Sequence, residues 1–355
     1  MLNIVIISGH LLKQKNQVGV HHLYNALRKN NSVEFLTIPL SFSRVCILGL
    51  QGKVTGVTFV HYLILSILQL KILTPWNGLL SNRVLRIVDY FFRLSHREVA
   101  IIKSSDIVII DTCMALKFVA KIREMDLAKV IYRGSDLISF YKKNSLMEYY
   151  LQKACPYFDK ASVVHEKIGT ELSQKYSIPL SKIEYNPHGV NKLMMSGSLE
   201  NPFISSKNAV FVGVSHIDEE CLKVLASANP DWHFHCVGIS RISIDNENIS
   251  SYGIVNFNET LAYIKYCDLA LAIRKPGYES EVFATSLKIQ QYKFYKRPII
   301  GPAAIFKNDK EIFSYVDSNS QSITNAFQSA IKHNVVEYDV EKILSWDDVA
   351  HRLIS

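Results

Sequence analysis

Ala209-Val210-Phe211-Val212-Gly213-Val214-Ser215-His216 is an apolar run closed by a glycine, a small hydroxyl residue and a histidine. A short run of this kind reads as a strand buried on both faces, the habit of parallel sheets. A helical pattern over 219–228 follows it, and then a second apolar run over 232–237. Strand, helix and strand make one βαβ unit. Downstream the alternation continues, with strands expected over 269–273 and 298–300 and helices over 258–266, 286–295 and 322–333. Upstream it already runs from the start of the chain. Strands are expected there over 3–7, 33–38, 107–110, 129–132 and 161–164, with helices over 20–29, 54–73, 83–102, 114–124 and 146–154.

The two sets are separated by the turn-rich Tyr185-Asn186-Pro187-His188-Gly189-Val190-Asn191 and a polar stretch over 197–208. At 355 residues the chain is long enough for two domains with separate cores. The fold class is therefore α/β, with two doubly wound Rossmann-like domains facing a cleft. The first is expected over residues 1–190 and the second over 191–338. Residues 339–355 hold a last helix, over 340–353. In such sheets ligands bind beyond the carboxyl ends of the strands, so motifs just after strands carry the functional reading.

The richest of these is Thr285-Ser286-Leu287-Lys288-Ile289-Gln290-Gln291-Tyr292. Thr285 and Ser286 are good N-cap residues. A helix start offers free N–H groups and partial positive charge, which suit phosphate. Lys288 and Gln291 are three apart and share one face, where a lysine reaches phosphate and a glutamine bonds a sugar or phosphate oxygen. An ordinary amphipathic helix, with Leu287, Ile289 and Tyr292 packed inside, fits the same residues.

Other strand ends add candidates. Gly213 with Ser215 and His216 lets backbone approach a diphosphate, and also makes a plain strand-to-helix turn. Ile254, after Gly253, presents backbone groups to a base edge. In the loop Arg274-Lys275-Pro276-Gly277-Tyr278, the tyrosine suits stacking on a nucleobase, and Arg274 or Lys275 suits pairing with a carboxylate or phosphate. In the first half, Tyr132-Arg133-Gly134-Ser135-Asp136 places a carboxylate after a strand. Asp136 reads as a general base for an acceptor hydroxyl or as a helix cap. His10 and His21, near the first strand's end, are rival bases.

No Asp-x-Asp triplet, zinc spacing, Walker lysine or Gly-x-Ser-x-Gly elbow is present, so metal-dependent, ATP-hydrolysing and esterase chemistries lose ground. Residues 1–185 hold 24 Lys+Arg against 13 Asp+Glu, and residues 186–355 hold 16 against 19. A basic first half calls for an acidic partner. Scattered basic residues without a nucleic-acid motif favour an anionic membrane surface over nucleic acid. The uncharged segment 54–70, flanked by Lys53 and Lys71, reads as a buried helix or one lying in the membrane interface, and the surrounding arginines favour the interface. The six cysteines form no close pair, and the apolar start has no basic region before it, so a reducing, cytoplasmic setting is expected.

Together these motifs resemble the two-domain GT-B glycosyltransferases, and among them the inverting glucuronosyltransferases of the xanthan type. The resemblance rests on Ser8-Gly9-His10 with Gly19-Val20, Tyr132 to Asp136, Asn186-Pro187-His188-Gly189-Val190, Tyr263-Ile264-Lys265, and Ser286 to Tyr292. It implies Asp136 as the base and Leu287-Lys288 with Gln291 as donor ligands, leucine standing where the family has methionine. It implies Tyr278 near the donor, although the spacing of that loop differs. It further implies a UDP-sugar donor, with UDP-glucuronate as the family's own, no metal or other cofactor, and a lipid-linked glycan acceptor. The setting is then the inner face of the cell membrane, with the closing helix returning to the first domain. Gly213, Ser215, His216, Ile254 and Ser286 join the donor side, and His10, His21 and Arg133 the acceptor side. A nucleotide-sugar 2-epimerase-like hydrolase and a non-enzymatic hinged sugar-binding protein are the alternatives.

Overall fold

The computed structural model describes residues 1–12, 17–38, 94–125, 129–138, 146–214, 216–275, 277, 280–307, 309–333 and 336–355. The expected helix over 54–73 with its segment 54–70, the first part of the helix expected over 83–102, and Cys46, Ser215 and Tyr278 lie outside the described residues. The chain divides into two compact units. One comprises Met1–Lys13, Val20–Pro187 and Ala350–Ser355, and the other Gln14–Gly19 and His188–Val349.

In the first unit the order is β1 (Asn3–Ser8), α1 (Gly19–Leu27), β2 (Ser32–Thr37), α2 (His96–Lys103), β3 (Ile107–Asp111), α3 (Val119–Arg123), β4 (Lys129–Gly134), α4 (Leu146–Ala154), β5 (Lys160–Val163), α5 (Glu166–Tyr176) and β6 (Ile183–Tyr185). Its sheet is parallel with order β2-β1-β3-β4-β5-β6. β1 and β3 are central, which is why Ile4 to Ile7 and Ile107 to Ile110 are apolar at every position and buried. Helix starts follow local chemistry. Ser95 and Glu98 form a capping box, Glu98 N donating to Ser95 Oγ at 3.2 Å and Ser95 N to Glu98 Oε2 at 2.7 Å, so α2 begins at His96.

The second unit runs α6 (Lys192–Ser196), β7 (Asn208–Val212), α7 (Glu219–Ala228), β8 (His233–Val237), β9 (Ile249–Gly253), α8 (Phe257–Tyr266), β10 (Leu269–Leu271), α9 (Leu287–Phe294), β11 (Ile299–Pro302), α10 (Ala303–Phe306), β12 (Phe313–Tyr315) and α11 (Ser320–Ile331). Its parallel sheet has order β12-β11-β10-β7-β8-β9. Alternate residues of β7 point to opposite faces. Ala209 and Phe211 pack with Leu222, Leu225 and Phe327 of α7 and α11, while Val210 packs with Ile264, Ile289 and Tyr292 of α8 and α9. Helices thus cover both faces, as a doubly wound sheet requires.

Both sheets reverse their direction of growth once. The first does so between β1 and β3, the second between β7 and β10. These are the points where an open α/β sheet leaves a crevice at its strand ends.

Some expectations need correction. β6, β9 and β12 are not visible as apolar runs, because each is a short edge strand with half-solvated residues such as Glu184, Ser250 and Ser314. Helix α5 was not expected either. It buries a narrow stripe, Ile168, Leu172 and Tyr176, within a polar sequence. The stretch expected as one helix over 114–124 is a 3-10 turn, Met114–Phe118, followed by α3. The closing helix α12 starts only at Trp346, where Ser345 and Asp348 bond each other's backbone N–H, after a separate 3-10 turn at Val340–Lys342. Its end groups with the first unit, where Lys129 Nζ donates to Ser355 O at 2.9 Å and Lys160 Nζ to Arg352 O at 2.6 Å.

Candidate functional site

The second unit's crevice is built around α9. A 3-10 turn, Ser280–Thr285, brings the chain to Ser286, the N-cap. The Ser286 hydroxyl makes no capping bond, and its oxygen is enclosed with no protein partner. Ile289 and Tyr292 bury the helix against the sheet, and Tyr292 OH accepts from Val212 N at 3.0 Å, tying α9 to the end of β7. The helix closes in a Schellman pattern. Lys296 takes a left-handed φ of 54°, Arg297 N donates to Tyr292 O at 3.1 Å and Lys296 N to Lys293 O at 2.9 Å.

With α9 fixed this way, Lys288 and Gln291 face the end of β7. Lys288 Nζ lies 4.3 Å from the centroid of the Phe211 ring. A Cβ on Gly213 would stand 3.6 Å from that ammonium and 3.1 Å from the ring, so glycine gives the chain room to turn there. Gly238, at the end of β8, has φ +99°, and a Cβ on it would come within 2.4 Å of Gly213 O. From β10 the chain passes through buried Ala272 and Ile273 to Arg274, which pairs antiparallel with Ile217 and sets its guanidinium carbon 3.4 Å from the Phe283 ring centroid.

Gly213, Ile254, Arg274, Ser286, Leu287, Lys288 and Gln291 line one cavity of about 280 Å³ at the sheet's switch point. Much of the remaining wall is apolar, including Val237, Val255 and Phe306, and no aspartate or glutamate is among the described lining residues. Burial pushes the Lys288 ammonium down to about 7, and the positive charge of Arg274 adds to the shift. Buried Gln291 offers both a donor and an acceptor. Cations, a helix start and an apolar wall together suit a phosphate-bearing organic anion.

The sequence-predicted donor residues Gly213, Ile254, Ser286, Leu287, Lys288 and Gln291 therefore come together. His216 is exposed with a φ of 61° and is not among the residues lining the cavity. Leu287, which an ordinary amphipathic helix would pack inside, is half-buried and lines the cavity. Phe211, Phe283 and Gly238 were not singled out for these roles. Their signal in the sequence is slight, because each acts through a partner brought close only by packing.

The first unit carries its own polar cluster at strand ends. Asp136 lies two residues past β4 and is exposed. Arg133 is buried, and its Nη1 donates to Ser162 Oγ at 2.9 Å and to Asn186 O at 2.7 Å. It ties β4 to β5 and to the residues after β6, so its surroundings are structural. Burial lowers its pKa to about 10, opposed by Asp111 and Glu184. His10 is half-buried. Its backbone N donates to Ser8 Oγ at 3.2 Å, and its ring meets buried His21 edge-on at 6.0 Å. His21 Nε2 contacts Leu11 O at 2.7 Å. Asp111, unmarked in the sequence reading, sits at the switch point of this sheet. Ser8 Oγ donates to its Oδ2 at 3.0 Å and Thr112 N to its Oδ1 at 2.8 Å. Burial raises its pKa, opposed by these bonds and by Arg133 and His21. Among the described residues no cluster of three or more His, Cys, Asp or Glu has the arrangement of a metal site.

Residues 6–164 match the family described as Glucuronosyltransferase GumK, N-terminal domain. Over that stretch the chain is GumK-like. The UDP-glucuronate:glycolipid 2-beta-glucuronosyltransferase of Xanthomonas campestris pv. campestris is 25% identical over 260 residues, covering 71% of the GumK-like chain and 62% of that relative. The matched part thus falls short of two thirds of the relative's length. Among solved structures, HepE of Anabaena in complex with UDP and glucose superposes with a TM-score of 0.67 at 11% identity, over 100% of the GumK-like chain and 98% of its own. A glycosyltransferase from Rickettsia africae gives 0.59 at 14% identity, over 99% and 97%. The UDP-GlcNAc 2-epimerase of Methanocaldococcus jannaschii gives 0.52 at 12% identity, over 99% and 98%. At these identities the structures share the fold. No described helix of the GumK-like chain is long and apolar enough to cross a membrane.

Proposed function

We propose that the GumK-like chain is an inverting, metal-independent glycosyltransferase. It moves a sugar, glucuronate foremost, from a UDP-sugar to a lipid-linked glycan at the inner membrane surface. The observation that carries this reading is the cavity at the β7/β10 switch point, where Lys288, Arg274 and the start of α9 converge beside an apolar wall. A nucleoside diphosphate needs those two surfaces, one cationic and one apolar. The Xanthomonas relative, named for UDP-glucuronate and a glycolipid, supplies the donor and acceptor classes.

In this reading Asp136 accepts the proton of the acceptor hydroxyl. The oxygen attacks the anomeric carbon from the side opposite the diphosphate, the glycosidic bond to UDP breaks, and the configuration inverts. Lys288 and the first N–H groups of α9 stabilise the charge that grows on the leaving diphosphate. The protein's own cations thereby do the work that a divalent ion does in metal-dependent transferases.

The test is direct. Purified protein is incubated with UDP-glucuronate and other UDP-sugars, with and without a lipid-diphosphate-linked oligosaccharide and with chelator throughout. Acceptor-dependent UDP release with a β-linked product is expected. UDP release without acceptor would instead indicate a hydrolase, a reading disfavoured by the absence of carboxylates from the described cavity wall. Binding without turnover would indicate a receptor.

A further inference from the structure

The sheet of the second unit ends on β9, and that strand carries one residue more than its partner. Phe234, His235 and Cys236 of β8 pair with Ile249, Ser250 and Ser251, and Val237 then pairs with Gly253. Tyr252 is therefore the extra residue of a β-bulge. A shift of one residue moves every later residue along the strand and turns it to the other face. Gly253 follows with a φ of 63°. The strands close again there, Gly253 N donating to Ile239 O at 2.7 Å and Gly238 N to Gly253 O at 2.8 Å. Ile254 and Val255 come next, and both line the cavity together with Val237 and Gly238.

A chain of hydrogen bonds holds the bulged residue. Asn208 Nδ2 donates to Ser205 O at 2.6 Å, which makes Asn208 Oδ1 the acceptor end of that amide. His235 Nε2 lies 3.0 Å from this oxygen, so it carries a proton and donates. In the neutral ring Nδ1 is then a lone pair, and Tyr252 OH donates to it at 2.8 Å. Burial pushes the His235 pKa down to about 4, and neighbouring His233 adds to the shift, so the ring is neutral around pH 7. The His235 ring is packed among Phe203, His233, Tyr252 and Tyr263, with centroids 4.7, 4.5, 5.8 and 6.1 Å away. Tyr252 remains 39% exposed, so packing constrains it on one side only.

We propose that His235 and Tyr252 are positioning residues of the donor site. Their hydrogen bond sets the bulge, and the bulge places the Ile254–Val255 wall on which the nucleoside part of the donor packs. The inference rests on the UDP-sugar reading above and adds to it the device that orients the apolar side of the cavity. The cationic side is held separately, because α9 is tied to β7 through Tyr292 OH and Val212 N. Loosening the bulge thus costs contacts to the nucleoside and spares those to the diphosphate.

The experiment measures dissociation constants of the full chain for UDP and for inorganic pyrophosphate, which engages the cationic side alone. Tyr252→Phe removes one oxygen from a partly exposed side chain. It is expected to weaken UDP binding about three- to thirtyfold and to leave pyrophosphate binding unchanged. His235→Ala should show the same split, and Tyr252→Phe carries the test if the alanine variant does not fold. His235→Gln, whose amide can donate to Asn208 and accept from Tyr252, should regain most of the lost affinity. A general packing defect would weaken both ligands together. A folded Tyr252→Phe with wild-type affinity for UDP, or a parallel loss of UDP and pyrophosphate binding, would overturn the positioning role and leave the donor reading intact. Failure of UDP and every UDP-sugar to bind wild type would overturn both.

Discussion

Among the described residues of the first unit, Asp111 and Asp136 stand at strand ends in different surroundings. Asp111, on β3, is buried, and both its oxygens are engaged, one by the Ser8 hydroxyl and one by the Thr112 N–H. An acid held this way orders the loops that follow β1 and β3. Asp136, after β4, is exposed to solvent. In the proposed reaction a general base must meet a hydroxyl that arrives from outside, and exposure suits Asp136 to that part better than Asp111. We expect Asp136→Asn to lower the turnover of transfer by about 10²–10⁴-fold with the donor dissociation constant unchanged, since the lost group acts on the proton and not on UDP. Asp111→Asn should instead reduce stability by about 1–3 kcal/mol, because it disturbs a buried polar network. Steady-state kinetics beside chemical denaturation of both variants decides the assignment. Full transfer activity in Asp136→Asn removes that residue from the reaction.

At the scale of elements, the cavity beside Lys288 depends on how closely two strand ends approach. Gly238 sits at φ +99°, with Gly213 O occupying the place its Cβ would take, at 2.4 Å. Gly238→Ala therefore forces backbone apart as well as straining φ. The expected cost is about 1–3 kcal/mol, with UDP affinity reduced because Gly213 borders Lys288. A midpoint shift in denaturant and a binding isotherm on the same preparation measure both effects, and an alanine variant with wild-type values for each would show that the approach is dispensable. The same element explains what the sequence made legible. Spacing alone puts Lys288 and Gln291 on one face of α9, and the structure turns that face to the cavity. That Ser286 caps the helix by position but leaves its hydroxyl unbonded is not readable from residue type. Arg274 could be marked as a loop cation. Its seat on Phe283 depends on the 3-10 turn folding back over the loop, a tertiary event without a local pattern. Edge strands such as β9, Ile249-Ser250-Ser251-Tyr252-Gly253, escaped for a related reason: half their residues face water, so no apolar run marks them.

For the whole molecule, the two units share an architecture and differ in charge. Each has a six-stranded parallel sheet with one switch point. In the first unit that point holds the Ser8–Asp111 bond, and in the second it opens into the cavity beside Lys288. Residues 1–185 carry 24 Lys+Arg against 13 Asp+Glu, whereas residues 186–355 carry 16 against 19. In the proposed reaction a lipid-linked acceptor lies at a surface made negative by its headgroups, and each lysine or arginine close to such a surface contributes about 1 kcal/mol of attraction. On that proposal the excess of positive charge in the first half suits an approach to an anionic surface, and the second half's balance leaves donor binding to local cations. We expect the protein to sediment with vesicles containing about a third anionic lipid and to be released as salt shortens the Debye length below the roughly 8 Å of physiological ionic strength. Neutral phosphatidylcholine vesicles should retain little of it. A fragment starting near residue 188 need not fold on its own, so the comparison uses the full chain with Lys and Arg of the first half replaced by Gln in small groups. Loss of vesicle binding in those variants, with UDP-glucuronate affinity unchanged, is the expected result. Equal binding to neutral and anionic vesicles, or binding indifferent to salt, would show that charge does not bring this chain to a membrane.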